Sequence, residues 1–264
     1  MKKRTSFRKP HKVKRKKSIL KSRFFWLTIL VLIVVGGFFY LISFSSFFQI
    51  TKIEIRGNEK ISEQKIKEII QPHIEHQIVF WKTRSIFLAN LKETNNFLSE
   101  TFPNIAQVEL KRNFPEALII SIQERIPVAI FEHQNRKFFI DKEGIVFEEP
   151  VEGTLFSIES LVFKGEIGLG KRVLEKEIMT KILEIKQALN QKEIPIIMAV
   201  IATEDRLNIR TQENWEIYFN LREDISRQIF NLGIVIQEKI PLERRKTLER
   251  IDLRFDKIFI YPEI

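Results

Sequence analysis

The chain of 264 residues contains no cysteine, which excludes disulfides and thiolate metal sites and is compatible with an exported domain. Acidic residues are missing from the first 53 positions, and Glu54 is the first carboxylate. Charge of either sign is missing from Phe24 to Phe48, FFWLTILVLIVVGGFFYLISFSSFF, a run of 25 residues. A helix needs on the order of 20 apolar residues to cross a bilayer, so this run is long enough for one crossing. In lipid the backbone groups have no water to bond, so the crossing must be helical, and Gly36 and Gly37 are tolerated there. The apolar run far exceeds the 7–15 residues or so of a cleaved signal's core, although Ser43 and Ser45 offer small residues; an uncleaved anchor is the better reading.

What is present near the N-terminus is positive charge. Residues 1–23 hold 12 of the 44 Lys and Arg residues and no acid. The remaining sequence carries 32 basic against 34 acidic residues, so the net charge of +10 belongs to the tail. Basic residues before an apolar helix predict a cytoplasmic N-terminus and an exported C-terminal side. Topology is a sufficient reason for the cluster; no specific nucleic-acid partner is expected. The tail is too charged to bury a core and reads as disordered.

Beyond the anchor, Gln49 to Arg56 alternates as a strand ending at Gly57-Asn58. Ser62 predicts a helix cap, Ile66, Ile69 and Ile70 an apolar face, and Pro72 the stop. Phe87, Leu91, Thr94 and Leu98 predict a second helix within residues 83–101, ending at Pro103. Ile105 to Arg112 and Ala117 to Glu124 read as strands joined by Asn113-Phe114-Pro115. From Val128 onward short strands are expected at 128–132, 137–141, 145–147, 161–163, 197–202, 207–211 and 215–219. Two helices accompany them, marked by Leu174, Ile178, Ile182, Ile185 and Leu189 and by Ile225, Ile229, Leu232 and Ile236. Pro127 cannot donate to a sheet ladder and predicts a boundary, with Glu124 to Pro127 as a hinge. Arg112 and Arg125 are expected to face solvent or an interdomain contact.

The sequence carries little that suggests catalysis. His73, Glu75 and His76 do not have the spacing of a helical zinc site, and a solvated loop is expected there. His11 lies in the tail and His133 has no Ser or Cys partner nearby. Gly165, Gly168 and Gly170 precede a helix but form neither a phosphate loop nor a dinucleotide fingerprint; a turn is expected. Asp141, Glu143, Glu148 and Glu149 surround a hairpin turn and read as ordinary solvated acids. Trp26 is expected at a membrane interface, and Trp81 and Trp215 in cores. No nucleophile, base and orienting group fall together, so no catalytic, metal or cofactor site is expected.

The run VELKRNFPEALIISIQERIPVAIF, Val108 to Phe131, is similar to the junction found in the FtsQ/DivIB family of bacterial cell-division proteins. The matching elements are Arg112 at a strand end, Phe114-Pro115, a second strand, Glu124-Arg125, and Pro127-Val128-Ala129. The hairpin FFIDKEGIVF supplies the Asp141 and Gly144 that the family shows next. Ile251 to Phe255 resembles the family's late "DLR" strand, followed by a final strand at Lys257 to Tyr261. Two departures are that Gln77 to Lys82 lacks a glycine-rich turn, and that the sequence ends directly after the final strand, so no longer C-terminal extension is expected.

The resemblance implies an α+β protein in four parts. These are a cytoplasmic tail (1–23), a transmembrane helix (24–48), a β-α-α-β-β POTRA domain (49–125), and a mixed β-sheet domain with two helices (126–264). It further implies a non-enzymatic division scaffold at the septum, partnered by FtsB/DivIC-like and FtsL-like coiled-coil proteins and other divisome membrane proteins. Partner binding is expected by strand addition at Arg254, Phe255, Ile258, Phe259, Ile260 and Tyr261. Arg112, Pro115, Glu124, Arg125 and Pro127 are expected at the junction of the POTRA domain. The alternative is a POTRA-bearing transport or assembly factor of the envelope; the mixed α/β pattern after Pro127 does not provide the long barrel such proteins usually carry. A membrane-anchored hydrolase lacks a candidate site.

Overall fold

The structure is a computed structural model that describes residues 22–78, 80–150 and 155–263; residues 1–21, where most of the basic tail falls, lie outside them. The apolar run forms helix α1, Arg23–Phe44, exposed along almost its whole length and long and apolar enough to cross a membrane. The helix ends before the run does. Ser45 is extended, and Ser46–Phe48 makes a 3₁₀ turn whose Phe47 N–H donates to Ser45 Oγ at 3.3 Å.

A first set of elements follows in the order β1 (Lys52–Arg56), α2 (Glu63–Ile74), β2 (His76–Ile78), β3 (Trp81–Thr83), α3 (Leu91–Thr101), β4 (Ile105–Asn113) and β5 (Ala117–Glu124). Strand β5 lies centrally, parallel to β1 and antiparallel to β4. Its alternation turns Leu118, Ile120 and Ile122 onto Ile66, Ile70 and Ile74 of α2 and Leu98 of α3, all buried. The expected β-α-α-β-β order is present with one addition, the β2–β3 hairpin, which the sequence reading did not anticipate. Gln77 to Lys82 therefore needs no glycine-rich turn between helices. The hairpin also moves Phe87 out of the helix it was expected to begin. Asn90 caps α3, accepting from Glu93 N–H at 3.3 Å, so the helix starts at Leu91. Pro72 does not stop α2. It lies in the last turn, and burial of Ile74 carries the helix past it.

A second set comprises β6 (Ala129–His133), β7 (Arg136–Ile140), β8 (Val146–Glu148), β9 (Ser157–Ser160), α4 (Lys176–Gln191), β10 (Ile196–Ile201), β11 (Arg206–Thr211), β12 (Glu216–Asn220), α5 (Ile225–Lys239), α6 (Leu242–Arg245), β13 (Arg250–Asp252) and β14 (Phe259–Tyr261). The nine strands form one mixed sheet in the order β14-β13-β12-β11-β10-β9-β6-β7-β8. Helices α4 and α5 cover one face, where Ile182, Ile185 and Leu232 meet Ala199, Leu207, Ile209, Ile217 and the fully buried Trp215. The polar alternates of β11 and β12 occupy the opposite face. Two expectations change. The strand expected at 161–163 lies earlier, as β9, because Ser157, Ile158 and Glu159 pair between β6 and β10 while 161–163 turns away. A third, four-residue helix, α6, follows Pro241, whose fixed φ suits the residue before a helix.

The two cores meet at Arg125 and Asp141. Arg125 N–H donates to Asn104 O at 2.7 Å, its Nε to Pro103 O at 3.0 Å, and its Nη1 pairs with Asp141 Oδ2. Asp141 is buried, not solvated as expected, and its other oxygen accepts from Glu143 and Ile145 N–H, both at 2.9 Å. A paired, hydrogen-bonded carboxylate tolerates burial that an isolated one would not. Gly144 completes this turn at φ +78°, where a Cβ would lie 1.9 Å from Leu174 O. Gly144→Ala is therefore expected to destabilise the fold by more than the ~1–3 kcal/mol of backbone strain alone, read as a lowered midpoint of chemical unfolding. An unchanged midpoint would show that the turn can relax.

Candidate partner-binding edge

Strand β14 is the last in its sheet, with β13 on one side and no strand on the other among the described residues. It is short, and its register sets Arg250 opposite Tyr261, Ile251 opposite Ile260, and Asp252 opposite Phe259. Alternation divides the residues expected here into two groups. Ile258 and Ile260 pack on the sheet's core, beside a groove completed by Glu238 and Lys239 at the end of α5. Phe259 and Tyr261 face the other way, toward the polar side of the sheet.

The polar side carries residues that sequence reasoning did not single out. The Tyr218 ring has Arg206 at 4.3 Å, Arg254 at 5.4 Å and Arg250 at 5.8 Å from its centroid, and Arg250 also lies 4.0 Å from the Tyr261 centroid. Such guanidinium–ring contacts hold planar cations flat against aromatic faces. Arg206 and Tyr218 alternate with buried residues on β11 and β12, and that half-exposed pattern was the available signal. Their meeting with Arg250 and Tyr261 depends on strand order.

Arg254 and Asp252 form a fork, with Nε to Oδ1 at 2.9 Å and Nη2 to Oδ2 at 2.6 Å. Burial pushes the Asp252 carboxyl up. The hydrogen bonds from the Arg254 side chain and backbone, with the charges of Arg254 and Arg206, outweigh this and hold it below its ordinary value of 3.8. Arg206 instead donates to the neutral Asn208 Oδ1 at 2.8 Å. Phe255 is exposed and meets Phe259 edge to face at 6.0 Å.

The other expected residues divide by position. Arg112 is exposed, as one of the two alternatives expected for it, and its guanidinium binds within the first unit, Nε to Ile86 O at 2.6 Å and Nη2 to Ala89 O at 2.8 Å. Pro115 sits in the β4–β5 turn. Glu124 accepts N–H groups of Glu59, Lys60 and Ile61 at 2.8 to 3.0 Å, closing the loop after Gly57. Arg125 makes the contact between cores, and Pro127 lies in the irregular link between β5 and β6. His73 stacks on Phe97 and Glu75 pairs with Arg84; no metal-ligating group of three occurs among the described residues.

This architecture is that of a POTRA-bearing protein with one helix able to span a membrane and a large mixed sheet beyond. Residues 48–125 match the family described as POTRA domain, FtsQ-type. The chain is 23% identical over 205 residues to the cell division protein DivIB of Clostridium tetani, covering 76% of this chain and 74% of that protein. It is 29% identical over 142 residues to the cell division protein FtsQ of Novosphingobium aromaticivorans (54% of this chain, 40% of that protein). To the FtsQ of Rickettsia bellii it is 30% identical over 105 residues (40% and 36%). The match thus spans less than half the length of these two FtsQ relatives. The chain is similar to cell-division proteins of the FtsQ/DivIB type.

The lowered Asp252 pKa gives a signed expectation. Its contribution to stability is full above the ordinary 3.8 and is lost as pH falls through the depressed folded-state value. Asp252→Asn should lower the melting temperature at pH 7, with the gap to the natural protein narrowing toward pH 3. A gap of constant size from pH 7 to 3 would contradict the pairing.

Proposed function

We propose that this chain is a non-enzymatic scaffold of the bacterial division complex. The basic tail lies in the cytoplasm, α1 crosses the cytoplasmic membrane, and the two folded units lie outside it at the septum. It links early division proteins to FtsB/DivIC-like and FtsL-like coiled-coil partners, and through them to septal peptidoglycan synthesis. The likeness to proteins named cell division protein DivIB and FtsQ supports the division role.

The observation carrying the mechanism is the position of β14 as a terminal strand beside an aromatic–arginine face. An added strand bonds to the backbone of the edge, and its alternate side chains reach the two faces. On one face they would meet the groove between α5 and β14, on the other Phe259, Tyr261 and the arginines. The positive charge of Arg206, Arg250 and Arg254 gathered on that second face favours a partner strand bearing carboxylates there.

Phe259→Asp with Tyr261→Asp, both on the outer face, should weaken capture of the coiled-coil partner by at least about tenfold with little change in melting temperature. Ile260→Glu, which faces the core, should lower stability as well. Unchanged capture by the outer-face double variant would sink the strand-addition mechanism. The division role itself is read from a fluorescent fusion with depletion. Septal bands and filamentous cells are expected; diffuse membrane signal with normal division would overturn it.

A further inference from the structure

The β2–β3 hairpin exposes large rings where the fold gives them no core to enter. Phe80 in its turn is 86% exposed and Trp81 is 65% exposed, although Trp81 was expected in a core. Trp81 stands edge to face with Phe44, the last residue of α1, at 6.2 Å between centroids. A second run of rings starts just past the helix end. Phe47 meets Phe48 at 5.0 Å, Phe48 meets Phe87 at 5.2 Å, and Phe87 meets Phe114 at 5.2 Å. Phe114 lies in the β4–β5 turn, which Thr51 N–H ties to the segment leaving the helix through Glu116 O at 3.0 Å.

These rings cannot swing away from the helix end. Ser85 Oγ donates to Ile42 O at 2.7 Å, Gln49 Nε2 to Ser43 O at 3.1 Å, and Thr83 Oγ1 also to Ser43 O. Their depth relative to a membrane is therefore set by α1. At 1.5 Å per residue the 22 residues of α1 span about 33 Å, close to the ~30 Å of a hydrocarbon core. Trp26 and Phe44 are 18 residues apart, about 27 Å along the axis, so Trp26 and Trp81 bracket that layer. Tryptophan favours this headgroup boundary, where an apolar ring and a polar N–H are both accommodated.

We infer that the β2–β3 hairpin, with Phe47, Phe87 and Phe114 around it, is a lipid-docking surface that seats the POTRA domain on the outer interface of the bilayer. The inference rests on α1 being a membrane span. The occupant is phospholipid rather than a protein partner because the rings are continuous with the lipid-facing surface of the helix itself. Seated this way, the domain has a restricted tilt instead of swinging on a free tether.

The full chain is reconstituted in vesicles of phosphatidylglycerol and phosphatidylcholine, the latter brominated near the glycerol end of its acyl chains. Trp26→Phe leaves Trp81 as reporter, Trp81→Phe leaves Trp26, and the double variant measures the buried Trp215. Trp81 emission is expected to fall to about half of that in unbrominated vesicles, as for an interfacial tryptophan. Quenched Trp26 with unquenched Trp81 overturns the inference while the span stands. Blue-shifted but unquenched Trp81 emission, the mark of a protein cover, also overturns it. Loss of quenching at both positions removes the span and the docking surface together.

Discussion

The last turn of a helix leaves four carbonyl groups without partners inside it. For α1 these groups fall at the end of a long apolar run, where an unsatisfied carbonyl is costly. The chain answers with Gln49, Thr83 and Ser85, which bond to Ile42, Ser43 and Ser45 carbonyls and bury Ser43, Thr83 and Ser85 in doing so. The same contacts make the strand-like bridge of Gln49 with Ser85, extended by Ile50 N–H to Arg84 O and Ile86 N–H to Phe48 O, each at 2.9 Å. The helix is thereby joined rigidly to the first unit. The β2–β3 hairpin exists where it does because it delivers Thr83 and, just beyond, Ser85 to that end.

The second joint follows a similar rule with charge in place of carbonyls. Arg125 and Asp141 are nearly buried; Arg125 Nε also donates to Pro103 O, and Asp141 Oδ1 accepts from two backbone N–H groups. Breaking a buried pair by removing one partner generally costs about 3–5 kcal/mol, because the other charge is left without compensation. That cost opposes loose motion between the two cores at this point, although the intervening Pro127 breaks the ladder.

Residues with a strong local signature were legible in the sequence. Strand β5 is read at its full extent, since Leu118, Ile120 and Ile122 alternate cleanly against polar partners. Helix α5 starts at Ile225, as its apolar spacing requires, with Asp224 as its cap. The family resemblance pointed to Arg125, Asp141 and Gly144, but their joint work in one buried turn is a matter of packing between cores. Trp81 illustrates the opposite case. A large ring in an alternating segment reads as core, and nothing local reveals that it stands on a hairpin beside the end of the long apolar helix. The Tyr218 face was hidden for a similar reason: Arg206, Tyr218, Arg250 and Tyr261 are contributed by four strands, and β13 joins the sheet parallel to β12 after a helical excursion.

By itself, the sequence determined the long apolar helix and the basic charge before it, and most strands and helices, because these depend on composition and on periods of 3.6 and 2 residues. Tertiary structure decided which strand is terminal, which residues of β14 face core or solvent, and which rings gather at the helix end. Those depend on strand order and on long-range hydrogen bonds such as Ser85 to Ile42, which join residues 43 apart and leave no periodic trace in the chain.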